Sequence, residues 1–236
     1  MGKKGNIEQN NKDNSLYVWA VMVIPIIVVI GFARTYYLKG FFGTPALPGL
    51  VVHLHGIVMT CWVILFATQV LIAKKSIKLH KRLGFFGAGL ATLMLLIGIA
   101  TSIAATAREN SVEALKFLVV PLGDILVFIS LFAIAFYYRK IVECHKRLML
   151  LTTVSLLSPA IARIPLSFIE TGGAVVFFGL TDICVCVCVI FDTIRHKKLH
   201  IGFVCAALLI VLSQPLRLML AETEIWLRLA TWLVRF

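Results

Sequence analysis

Inside the long apolar stretches of this chain stand a few side chains that hydrocarbon does not tolerate without a partner or a function. They are His55, His80, Asp124, His145, Arg163, Asp182, His200, Gln214 and Arg217. They fall into two layers. His80, His145 and His200, with His196 beside the last, each stand where an apolar block follows a basic link. His55, Asp124, Arg163, Gln214 and Arg217 belong to the opposite half, with Asp182 nearer the middle. At a rise of 1.5 Å per residue, Arg163 lies about 27 Å beyond His145, and His55 about 37 Å from His80, so one metal ion cannot join the layers. Neutral imidazole ligates haem iron and transition metals, and three histidines at equivalent points of three helix pairs offer ligands for such a centre. His196 and His200, four apart, share a face if one helix carries both. In the other layer Asp124 and Arg163 sit at similar depth on successive blocks, which predicts a buried ion pair, with Asp182 and Arg217 as its repeat. The competing role for Arg163 and Arg217 is to bind an anionic group such as a carboxylate.

The elements that must position these residues follow from composition. Of 236 residues 60% are hydrophobic and 14% charged, and the mean hydropathy is +0.97, which leaves too little polar material to cover a water-soluble domain. The apolar residues form seven blocks of bilayer-spanning length, at about 16–34, 49–73, 84–107, 115–138, 148–168, 174–193 and 201–220. The fold class is therefore all-α, an integral membrane helix bundle of seven spans with the lipid bilayer as solvent. Lysines and arginines crowd the links at 74–82, 139–147 and 195–198, and these read as cytoplasmic. That places the N-terminus inside and the C-terminus outside. A polar leader, 1–15, is expected to be disordered, the spans to occupy 16–220, and 221–236 to form an amphipathic helix lying at the outer interface.

A repeat runs through the chain. LHKRL (79–83), CHKRL (144–148) and HKKLH (196–200) precede successive spans, and LSPAIAR and LSQPLR close two of them on Arg163 and Arg217. HG at 55–56, GD at 123–124 and GLTD at 179–182 occupy comparable places in the partner spans. One leading span followed by three helix pairs is the implied plan. The net charge of +12 lies in the links, where it serves topology and lipid headgroups rather than nucleic acid. Cys184, Cys186 and Cys188 alternate within one span without CxxC spacing and read as core filler. No phosphate loop, nucleophile elbow, HExxH or dinucleotide fingerprint is present, so no catalytic residue is named.

HLHGIVMTCW (53–62), LHKRLG (79–84), PLGD (121–124), HKRLMLLTTVSLL (145–157) and LSQPLR (212–217) together resemble a group of bacterial multi-pass membrane proteins of unassigned activity. The resemblance covers nearly all of the chain after the leader and implies a bacterial cytoplasmic (inner) membrane location. HGIVM, followed by Trp62, is similar to the HGxLM stretch of transmembrane b-type cytochromes of the ascorbate-reducible class, which implies His55 as a ligand of haem b. Those cytochromes pair histidines near both faces. This chain has no partner histidine for His55 in the outer half, which leaves an inner haem held by two of His80, His145 and His200. Three functions stay open. One is a haem-binding or redox-associated membrane protein. Another is a transporter or small-ligand binder with Asp124, Asp182, Arg163 and Arg217 lining an outward-facing cavity. The third is an assembly or scaffold subunit whose partners are other membrane proteins.

Overall fold

A computed structural model describes residues 15–235, and these are helical throughout apart from turns and short links. All but the last residue of the expected leader lie outside that range. In chain order the helices are α1 (Ser15–Phe32), continued by a π-helical turn (Ala33–Tyr37), α2 (Lys39–Phe42), α3 (Leu50–Ile72), α4 (Ile77–Glu109), α5 (Val112–Phe117), α6 (Val119–Tyr137), α7 (Val142–Val154), α8 (Ser158–Ile161), α9 (Ser167–His196), α10 (Ile201–Ala221) and α11 (Glu224–Val234). Small polar residues set the starts. The hydroxyls of Ser76, Ser111 and Thr223 accept from the backbone N–H groups of Leu79, Ala114 and Trp226, satisfying donors a first turn leaves open. Asn110 and Lys197 adopt left-handed conformations that stop α4 and α9.

Six helical stretches are long and apolar enough to cross a bilayer: Ser15–Tyr37, Leu50–Ile72, Ile77–Glu109, Val112–Tyr137, Ser167–His196 and Ile201–Ala221. Their outward faces carry Trp19, Ile26, Ile64, Phe85, Leu96 and Leu126, all exposed, a coat suited to hydrocarbon and costly in water. The chain is a multi-pass membrane protein.

The block expected as a fifth span is not one continuous helix. It is α7 and α8, separated by a turn at Ser155–Leu157. Pro159 accounts for the break, because it has no N–H to give the Ser155 carbonyl and its ring crowds that carbonyl. This segment is also the most enclosed: Leu150, Leu151, Thr152, Val154, Leu157, Ser158 and Ala160 are all buried. Irregular backbone at membrane depth survives where protein surrounds it. Hydroxyls take up freed groups, Ser155 donating to the Thr152 carbonyl and Ser158 bonding the Thr181 hydroxyl.

Around this centre the elements pack in a definite order. Helix α7 lies against α6, α9 and α10, α8 lies against α1 and α9, and α3 and α4 form a hairpin laid on α6. Trp62 from α3 meets Phe128 and Phe132 of α6 edge-on, with ring centres 5.0 and 5.7 Å apart. Helix α11 docks on α5, where the Trp226 indole donates to the Leu115 carbonyl. The first span is held at one close crossing, for a Cβ on Gly31 would overlap the Ala160 carbonyl. Backbone does not give way as a side chain does. Gly31→Val is therefore expected to cost about 3 kcal/mol or more, seen as a large fall in the midpoint of thermal unfolding in detergent, with no rescue by Ala160→Gly. An unchanged midpoint would show that α1 is held elsewhere.

Candidate functional site

Two polar centres are built into the bundle, one in each half, and neither has quite the membership its residue types predict. In one half Arg217 of α10 reaches across to Asp124 of α6, Nη1 to Oδ1 at 2.5 Å, with both side chains buried. The same nitrogen donates to the Val120 carbonyl, and Nη2 donates to the Ser213 hydroxyl. The guanidinium lies 5.0 Å from the centre of the Phe178 ring. Beside it Gln214 donates to Asp182 of α9 at 2.9 Å. Thus Asp124 pairs with Arg217, not with Arg163, and Asp182 takes an amide rather than an arginine.

The reason is packing. Helix α10 lies directly on α6, and Gly123 leaves the space for the Arg217 stem, which any Cβ there would strike. The break before α8 meanwhile carries Arg163 to the side of α1. There it donates to the Pro159 carbonyl and lies 5.0 Å from the centre of the Phe32 ring, with no carboxylate partner among the described residues. His55 of α3 lies within the field of the Arg163 charge, and the neighbouring His53 packs near Tyr36 from the π-helical turn.

In the other half the histidines that follow the basic links separate into three places. His80 at the start of α4 and His145 in α7 come together, their rings 6.4 Å apart and almost perpendicular, at 85°. His145 Nδ1 is 2.8 Å from the Ala135 carbonyl. A carbonyl only accepts, so Nδ1 carries the proton and the neutral ring presents a lone pair at Nε2. His80 Nδ1 is buried and makes no hydrogen bond among the described residues, while the His80 carbonyl accepts from Gln69. Phe136, next in sequence to the Ala135 that binds His145, stacks on Phe132 and meets Phe85 edge-on.

His200 does not join them. It caps the start of α10, in a cleft shared with Cys144. Nor do His196 and His200 share a helical face: α9 ends at His196, Lys197 turns left-handed, and α10 begins only at Ile201.

One cluster is missing from the set the residue types suggest. Arg147 of α7 donates from Nε to Asp192 of α9 at 2.7 Å, and both side chains are almost wholly buried. Its Nη1 bonds the Glu143 carboxylate at 2.6 Å, and His196 lies 3.2 Å from the other Asp192 oxygen. Tyr17 of α1 is buried against the same charges. Arg147 stands in a basic link and reads there as a headgroup contact. The available signal was Asp192 itself, an acid inside the inner end of a span and one turn from His196.

Among the described residues no three histidine, cysteine, aspartate or glutamate side chains converge as a metal site would require. Compared with family models, curated proteins and solved structures, the chain matches none of them.

Proposed function

We propose that this chain is a haem-binding, redox-associated protein of the bacterial cytoplasmic membrane, in which His80 and His145 would hold one inner haem. The supporting observation is the histidine pair. A metal–nitrogen distance of about 2.0 Å on each side of one metal sets imidazole centres roughly 6 Å apart, close to the separation here. The protonated Nδ1 of His145, held by the Ala135 carbonyl, is the outer-sphere bond that orients a ligating histidine. His80 has a buried nitrogen in want of a partner. A bare ion wants three or four protein ligands, whereas a porphyrin supplies four nitrogens itself and asks only for two axial ones. The donor set therefore fits haem better than a zinc-like ion.

A bound b-type haem supplies one-electron transfer. The chain's own residues orient the two imidazoles, and Phe85, Phe132 and Phe136 keep their surroundings apolar. On this reading residues 142–161, about 30 Å long if helical throughout, cross as a broken seventh span at the bundle centre. The basic links then stay cytoplasmic, with the N-terminus inside and the C-terminus outside.

Protein produced with haem supply should purify with a Soret band that shifts on dithionite reduction. His145→Ala and His80→Ala should each reduce haem retention at least tenfold, while His55→Ala leaves it intact. A colourless wild-type protein, or retention indifferent to both inner histidines, overturns the assignment.

A further inference from the structure

Apart from the histidine pair, a cavity of about 360 Å³ opens between α6, α7 and α10, lined from α7 by Cys144 and Leu148. That volume lies within the range of about 300–1,000 Å³ common for small-molecule sites. Leu131 forms part of its depth and Leu209 and Cys205, both exposed, stand at its lipid-facing mouth. Its polar lining is confined to the inner end, where Tyr138, Cys144 and His200 meet. His200 Nδ1 is buried there without a hydrogen bond among the described residues. A Cβ placed on Gly202 would lie 3.6 Å from both His200 Nδ1 and Cys144 Sγ, so these two groups face one point in space. Among the described residues no lysine, arginine, aspartate or glutamate lines the cavity.

From this juxtaposition we propose that the α6–α7–α10 cavity binds the ring of a membrane quinone, with His200 Nδ1 bonding a ring oxygen and the tail leaving past Leu209 into lipid. An uncharged lining suits a neutral head and suits a phospholipid phosphate poorly. Entry from the side matches a ligand dissolved in the bilayer. Burial, and after it the Arg147 charge, push the His200 imidazole below its ordinary pKa against the opposing pull of Asp192 and Glu143, which keeps the ring neutral.

The probe is decyl-ubiquinone, titrated into the full-length protein in lipid nanodiscs and followed by calorimetry. One saturable site is expected. His200→Leu should weaken binding at least tenfold, and Gly202→Val, whose Cβ makes only ordinary contacts, should do the same by filling the space. His145→Ala should leave quinone binding unchanged, so the cavity is tested apart from the haem assignment. The proposal falls if no saturable site exists, or if a variant that stays monodisperse and helical at each of the two positions binds as the wild type does. It falls too if native mass spectrometry finds a phospholipid acyl chain there that the quinone fails to displace.

Discussion

Arg147→Ala is expected to lower stability by about 3–5 kcal/mol, the largest effect of any single polar substitution in its half of the bundle. The deletion leaves Asp192 charged in a site almost closed to solvent and strips Glu143 of a partner. It also disconnects α7 from α9 at the level where α1 packs its Tyr17. The measurement is thermal unfolding of the purified protein in one detergent, with the yield of monodisperse protein as a second readout. Replacing both partners, Arg147→Met with Asp192→Leu, removes the charges together and should recover most of the loss, because an apolar pair of similar volume has no desolvation cost to offset. A double variant as unstable as the single one would show that the network does more than neutralise itself. It would then join the histidine pair as part of the functional site.

The second large effect belongs to the Asp124–Arg217 pair. Arg217→Ala should cost about 3–5 kcal/mol by orphaning Asp124. Arg163→Ala should cost about 1 kcal/mol or less, since that guanidinium has only a carbonyl and an aromatic face among the described residues. The contrast is the test. If Arg163 were the partner of Asp124, as its place in the repeat predicts, the two substitutions would exchange their costs. Gly123→Leu gives a separate check. It should mimic Arg217→Ala, because the added side chain occupies the path of the arginine stem.

These pairings bear on function as well as stability. Arg217 and Asp124 neutralise one another and bond the local backbone, so they are poorly placed to hold an external anion. Of the four residues named for the small-ligand reading, Arg163 and Asp182 are left, neither of them in an ion pair among the described residues. The histidine pair differs: among the described residues His80 keeps a buried nitrogen without a partner and His145 a lone pair, groups with capacity left for a ligand.

Much of the bundle is legible from residue order. Long apolar helices follow from the bilayer's thickness and the cost of unsatisfied backbone, and these act locally along the chain. The histidines at the starts of α4 and α7 were legible for the same reason, since identical HKRL contexts mark equivalent depths. Depth, however, says nothing about azimuth. Which arginine meets Asp124 depends on α10 lying against α6 and on the room left by Gly123. Which histidine meets His80 is decided by the tertiary arrangement, which sets the His145 ring 6.4 Å from it and leaves His200 in a separate cleft. The break at Pro159 could be read from LSPAIAR, but not its consequence, the swing of Arg163 toward α1. Residue order determined which stretches are apolar enough to span a bilayer and which polar groups they carry, because the hydrophobic effect acts on each stretch by itself. Tertiary structure alone decided the partners, because lateral packing is settled by shape, and here by one glycine and one proline.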